Sequence, residues 1–360
     1  MKRFISILLT AVLTVSMFAG CGTTDSNDQT SASTTTAATT TTADSSTADS
    51  TTPVERIKMR VAYMPNMGSA STLVTAMEMG YFEEQGIDVE VVKFAKGPEE
   101  IAAMGSGSID VSQIGHGAHA LCAKGQAKIF TLDGTSLADE VLGNKDKGVN
   151  TIADLKGKTI GTSLGTSSEI ILNLALASVG LTQKDVNVVQ MDPSAAVTAM
   201  VTGKIDACAI WSPSTITVKE KLGDKVVMLA NNDTYKDQMV FPSSWICTNE
   251  YFEKNQDKLV RFTRAILKAQ DYKRNNIEQA AQWVAELIEQ DPAVIKQSVG
   301  EGDWPESKTV YDMAKDGTLK KWYENQQKSF IDSGNLEAAV DVDTYFSPDI
   351  IIKAYEANQN

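Results

Sequence analysis

Residues 163 to 172 read SLGTSSEIIL, small and hydroxylated residues set between a β-rich segment and an apolar stretch. Thr166, Ser167, Ser168 and Glu169 fit a capping box, in which Thr166 bonds the backbone of Glu169 and the Glu169 carboxylate returns to the amide of Thr166. With Gly165 turning the chain, the amides of Ser167 and Ser168 and two hydroxyls are left at the positive end of a helix dipole, where donors suit a small anion. Three other apolar segments end on unusual residues: Asn66 and Met67, then Gly115 and His116, then Trp211 and Ser212. If all four segments are strands of open α/β sheets, these turns lie at their carboxyl ends, where such sheets bind ligands.

Other candidates carry two readings each. His116 and His119, the only histidines, could present two ligands to a metal, but no cysteine or further histidine supports them. We therefore expect no metal; His116 is placed against a ligand and His119 in packing. Asp192 before Pro193 fits a helix cap with proline in the first turn, and it could equally meet a cationic ligand group. Trp245 either stacks on an aromatic ligand or packs at a hinge. Trp283, Trp304 and Trp322 read as packing of an amphipathic helical layer. No nucleophile, base and orienting partner stand together, so neither an enzyme nor a cofactor is expected.

The elements that must position these residues alternate. IKMRVAY, IDVEVVK and IDVSQI, then KTIGTS, VNVVQM, ACAIW and KVVML, are apolar strands separated by helical patterns, the grammar of βαβ units. A repeat is present: AMGSGSIDVSQI (103–114) and AMVTGKIDACAI (199–210) share A-M-x-x-G-x-I-D-x-x-x-I at a separation of 96 residues. Each copy predicts a helix ending at a glycine, Gly107 or Gly203, and then a strand. Two similarly built lobes follow, with helix after helix from residue 249 onward.

The chain has 360 residues, room for two compact units. Residues 1 to 20 have a basic start, an apolar centre and small residues before Cys21, the layout of a secretory signal. Residues 21 to 55 are mostly Thr, Ser, Ala and Asp, too poor in apolar groups to fold, and read as a disordered tether. Loss of Lys2 and Arg3 with the signal takes the formal charge from −13 to −15, which argues against nucleic acid as a partner. Cys122, Cys208 and Cys247 are odd in number and lack zinc spacing; Cys208, inside an apolar strand, reads as a buried thiol.

GYFEEQGIDVEVV (80–92), GSIDVSQIG (107–115), DLKGKTIGTSLGTSS (154–168) and GKIDACAIWSP (203–213), in that order, resemble the solute-binding lipoproteins of ABC importers for nitrate, alkanesulfonates, taurine and thiamine precursors. Phe18, Ala19, Gly20 and Cys21 similarly resemble a lipobox, implying lipidation of Cys21 and an extracytoplasmic, membrane-anchored location. The resemblance implies a type II periplasmic-binding-protein fold: two α/β lobes, a ligand cleft between them and a C-terminal helical layer. The lobes are expected at 56–142 with 240–360, and at 143–239, with crossings near 135–150 and 232–244. It also implies a polar-head or anion contact at Gly165, Thr166 and Ser167, and Trp211 packed on the ligand body. Many relatives carry an acid after that tryptophan; Ser212 stands there instead, which weighs against an amine-bearing ligand such as taurine. The expected function is delivery of a small organic anion, such as an aliphatic sulfonate, to an ABC permease, by a monomer. A thiamine-precursor pyrimidine or other aromatic heterocycle is the alternative. Thiamine-pyrimidine synthases also resemble the chain, but their cysteine-rich motif is absent.

Overall fold

A computed structural model describes residues 55 to 360. The expected signal, Cys21 and the tether up to residue 54 lie outside them. Strands β1 (Ile57–Tyr63), β2 (Ile87–Lys93), β3 (Val111–Ile114) and β4 (Lys128–Ser136) belong to a first sheet. Strands β5 (Asp139–Asn144), β6 (Thr159–Thr162), β7 (Asn187–Gln190), β8 (Ala207–Trp211) and β9 (Val226–Asn231) form a second. The chain then returns to the first sheet through β10 (Pro242–Cys247) and β11 (Gly302–Asp303).

The two sheets share one plan. The first runs β11-β4-β10-β3-β1-β2 and the second β7-β6-β8-β5-β9. In each, a central strand (β1 or β6) has parallel neighbours, and an antiparallel strand from the other end of the connection (β10 or β5) follows. β3 and β8, the strands of the sequence repeat, therefore occupy equivalent places. Gly107 and Gly203, which end the preceding helices, have φ of 74° and 66°, a conformation open to glycine without steric cost.

Sheet pairing sets where the chain crosses. Asp139 pairs with Trp211 and Glu140 with Asn231, so the second sheet begins at Asp139 rather than at residue 143. One crossing is residues 137 and 138, and the other is residues 232 to 241.

The long helix Gln256–Asn275 covers the first sheet because Leu259, Phe262, Ile266, Gln270 and Lys273 recur at helical spacing and are buried. Phe262 is the centre of this layer, with ring centroids 5.1 Å from Trp245 and 5.2 Å from Phe82. Burial of each such side chain contributes roughly 1.5–3 kcal/mol. Among the described residues no helix is long and apolar enough to cross a membrane. Cys122, Cys208 and Cys247 are all buried, and burial pushes their thiols up.

Candidate functional site: a cavity between the sheets

All four strand exits reach one cavity of about 60 Å³, several times the roughly 10–15 Å³ that a single water needs. Met67 and Asn66 line it from the exit of β1, Gly115 and His116 from β3, Thr166 and Ser167 from β6, and Trp211 and Ser212 from β8. Ser136, at the end of β4, and Ala138, in the short crossing, line it too. Both sheets thus supply walls.

Each first-sheet turn is fixed locally. Asn66 caps the helix Met67–Glu78, its Oδ1 accepting from the Ser69 amide at 2.8 Å, while Ser69 Oγ accepts from the Met64 amide at 2.9 Å. His116 is fully buried, its ring edge-on to Phe241 at 4.8 Å, and neither ring nitrogen has a hydrogen-bond partner. Burial, with a contribution from His119, takes its pKa down to about 3, so it is neutral at physiological pH. His119 faces away from the cavity, with Nδ1 3.2 Å from Gln326 Oε1.

The turn at 165–168 differs from the capping box expected. Thr166 holds the cap position but no side chain caps the helix Ser167–Ser178. Thr166 Oγ1 instead donates to the Ser163 carbonyl at 2.6 Å and meets Ser168 Oγ at 2.9 Å. The Glu169 carboxylate accepts from the Gly165 amide (2.8 Å), Gln183 (2.9 Å) and Asn335 (3.1 Å), and these partners draw it away from the Thr166 amide. Ser168 also accepts from Thr162 Oγ1 at 3.2 Å and is fully buried, so it is internal scaffolding, and Gly165 likewise stays outside the cavity wall. Ser167 stands in the wall beside Thr166. Its Oγ donates to Asp139 Oδ1 at 2.5 Å, tying the turn to the crossing; Asp139 in turn holds Asn232 Nδ2 at 3.2 Å, and burial raises its carboxyl to about 6.

Lobe-to-lobe contact is made at this turn. A Cβ placed on Gly117 would fall 2.1 Å from the Thr166 carbonyl carbon and 2.4 Å from the Ser167 nitrogen, so backbone meets backbone there.

Two expected ligand residues do other work. Trp245 is fully buried, donates Nε1 to Asp133 Oδ1 at 3.1 Å and packs on Phe262, because β10 is a central strand with helices against that face. Asp192 lies at the helix start before Pro193 without capping it, and pairs with Lys96 of the first lobe at 2.8 Å. Ion pairing satisfies it outside the cavity wall.

The sequence reading missed Gln113, Ser298, Glu301 and Trp304, all in the wall. Trp304, expected only to pack helices, has its ring 4.2 Å from the buried Lys273 Nζ and donates Nε1 to the Val299 carbonyl at 3.3 Å. Lys273 is itself held by Thr72 Oγ1 at 2.6 Å, and burial brings its pKa down to about 8. Among the described residues no lysine or arginine lines the cavity.

Two α/β lobes of one strand plan, joined by two crossings around a cavity between them, define the periplasmic-binding-protein fold. The chain belongs to the NMT1/THI5 like family, whose model matches residues 69–280. A Brucella abortus (strain 2308) protein named as a binding protein is 34% identical over 295 residues, 82% of this chain and 92% of its own length. A Bacillus subtilis (strain 168) protein named for binding aliphatic sulfonates is 26% identical over 238 residues, 63% of this chain and 70% of its own. Among solved structures, the alkanesulfonate-binding protein SsuA from Xanthomonas axonopodis pv. citri, bound to MOPS, superposes with a TM-score of 0.67 at 22% identity, covering 81% of this chain and 98% of that one.

Proposed function

We propose that the chain is the extracytoplasmic substrate-binding component of an ABC importer. It closes two lobes on a small organic solute of the aliphatic-sulfonate kind and presents the closed form to a membrane permease. The observation that carries this reading is the meeting of four strand-exit turns, two from each sheet, around one cavity. Contacts made to both lobes at once favour the closed state, which is how a solute drives closure. The polar head is assigned to the Thr166 and Ser167 turn and the solute body to Trp211. Lipidation of Cys21 behind a cleaved signal anchors the body outside the membrane, as a monomer and without catalysis. The names of the relatives, both given as binding proteins, support the receptor role.

A thermal-shift screen against alkanesulfonates, nitrate, taurine and thiamine-precursor pyrimidines tests it. A ligand at a hundred times its dissociation constant stabilises the native state by about 2.7 kcal/mol. A shift with sulfonates supports the main reading, and shifts with pyrimidines alone replace it. That second reading has its own support in Trp211 and Trp304, two aromatic faces in one wall. Mass spectrometry of the mature N-terminus without acyl chains would remove the anchor.

A further inference from the structure

Buried polar atoms without partners are uncommon in folded proteins, and each one calls for a physical reason. Twelve such side-chain atoms occur among the described residues, and five belong to the cavity wall: Gln113 Oε1, His116 Nδ1 and Nε2, Ser298 Oγ and Glu301 Oε2. Their chemistry is lopsided. Gln113 Nε2 donates to Asp133 Oδ2 at 3.1 Å and the Gly68 carbonyl at 3.3 Å, both acceptors, so the amide cannot be turned over and Oε1 must accept. Glu301 Oε2 is an acceptor when ionised, a neutral imidazole offers one acceptor and one donor, and a serine hydroxyl offers either. With no lysine or arginine in the wall, these unpartnered atoms are mostly acceptors that no cationic side chain of the cavity meets.

Glu301 is the one carboxylate among the lining residues. It follows the helix Pro292–Gln297, far in sequence from β8, yet it comes beside Ser212. Burial is the main cause that raises its pKa, with the Ser212 hydroxyl beside it opposing. A carboxylate from a distant element thus stands beside the residue that follows Trp211.

We propose that Glu301 is a specificity-determining residue and that the solute presents an amino or ammonium group to it, with Gln113 Oε1 receiving a second donor. The proposal rests on the solute-binding reading and narrows it. Sulfonate zwitterions and aminated heterocycles both carry such a group; the shared feature is the donor. A cation placed there compensates a carboxylate whose burial is otherwise costly.

Calorimetric titration of the full chain decides it, with two pairs of probes: 2-aminoethanesulfonate against ethanesulfonate, and 4-aminopyrimidine against pyrimidine. In at least one pair the aminated member should bind about tenfold tighter or better, as expected for a hydrogen bond to a charged group. Glu301→Gln should bring that ratio to near one while binding of the unaminated member persists, and Glu301→Asp should restore part of the preference. Discrimination only among pyrimidines supports Glu301 and overturns the sulfonate reading. Equal binding of both sulfonates without discrimination among pyrimidines, or discrimination that survives in Glu301→Gln, overturns the role of Glu301 and leaves the receptor standing. Binding of none of the four overturns both.

Discussion

Lys96 and Asp192 occupy the same position in the two halves of the chain, 96 residues apart, and they meet between the lobes with Nζ 2.8 Å from Oδ1. Each precedes the helix that leads into the repeated strand, Gly97–Gly105 in one lobe and Pro193–Val201 in the other. The pair exists only when the lobes are together. Lys96 is 17% exposed and Asp192 47%, and the pKa of Lys96 is raised chiefly by its hydrogen bond to Asp192.

A pair that exposed contributes about 0.2–1 kcal/mol. Lys96→Met or Asp192→Asn should therefore weaken solute affinity by at most about fivefold, and the double variant should lose no more than either single one. In about 1 M salt, where screening acts within roughly 3 Å, wild type and variants should converge. Calorimetry at two salt concentrations measures this, and a difference that persists in high salt would remove the ion pair from closure.

Gly117→Ala should keep the lobes apart. The new methyl would sit 2.1 Å from the Thr166 carbonyl carbon, and that atom is backbone, which cannot swing aside. Because the contact lies between lobes, the melting temperature without solute should change little. Affinity should fall by about two orders of magnitude, the cost of roughly 3 kcal/mol, and small-angle scattering should show a larger radius. Wild-type affinity would contradict the contact.

Trp211 and Trp245 should behave oppositely. Trp245→Phe leaves Asp133 Oδ1 without its indole donor and should cost about 1–3 kcal/mol of stability. Trp211→Ala, at a partly exposed wall position, should lower affinity with little loss of stability. Chemical denaturation and titration of the two variants separate the cases; an effect of Trp211→Ala on folding alone would undo the assignment.

Acid should destabilise the fold through its histidines. The folded pKa values, about 3 for His116 and about 4 for His119, lie below the ordinary 6.5, so the unfolded chain binds more protons between those limits. Stability from these groups is complete above pH 6.5 and is lost as pH falls toward 4 and 3. Asp139 at about 6 and Glu100 at about 8 act with the opposite sign. His116→Phe, which sacrifices no hydrogen bond, should flatten the fall in melting temperature between pH 6.5 and 4; an unchanged slope would assign it elsewhere.

The strand exits could be read from sequence because each apolar run is followed by residues that break regular structure, such as Asn66, Gly115 and the pair Ser212-Pro213. The repeat could be read because equivalent strands need equivalent burial. Glu301 and Trp304 carry no comparable local signal: they reach the cavity through the packing of the C-terminal helices on the first sheet, a relation between distant segments. Glu169 shows the same limit at short range. Its spacing fits a box with Thr166, and competing partners at Gln183 and Asn335, brought in by folding, redirect it.

The chain enters the second sheet through two residues and leaves it through ten. The short link acts as a pivot, and atoms beside a pivot sweep the smallest arcs. Ser136, just before that link, and Ala138, within it, are also cavity residues. The floor of the cavity therefore travels least as the lobes part, while Trp211 and Ser167 swing with the second lobe. If the lobes part about this link, Asn66, Gln113 and His116 stay together as one half-site on the first lobe and Ser167 and Trp211 as the other half-site on the second.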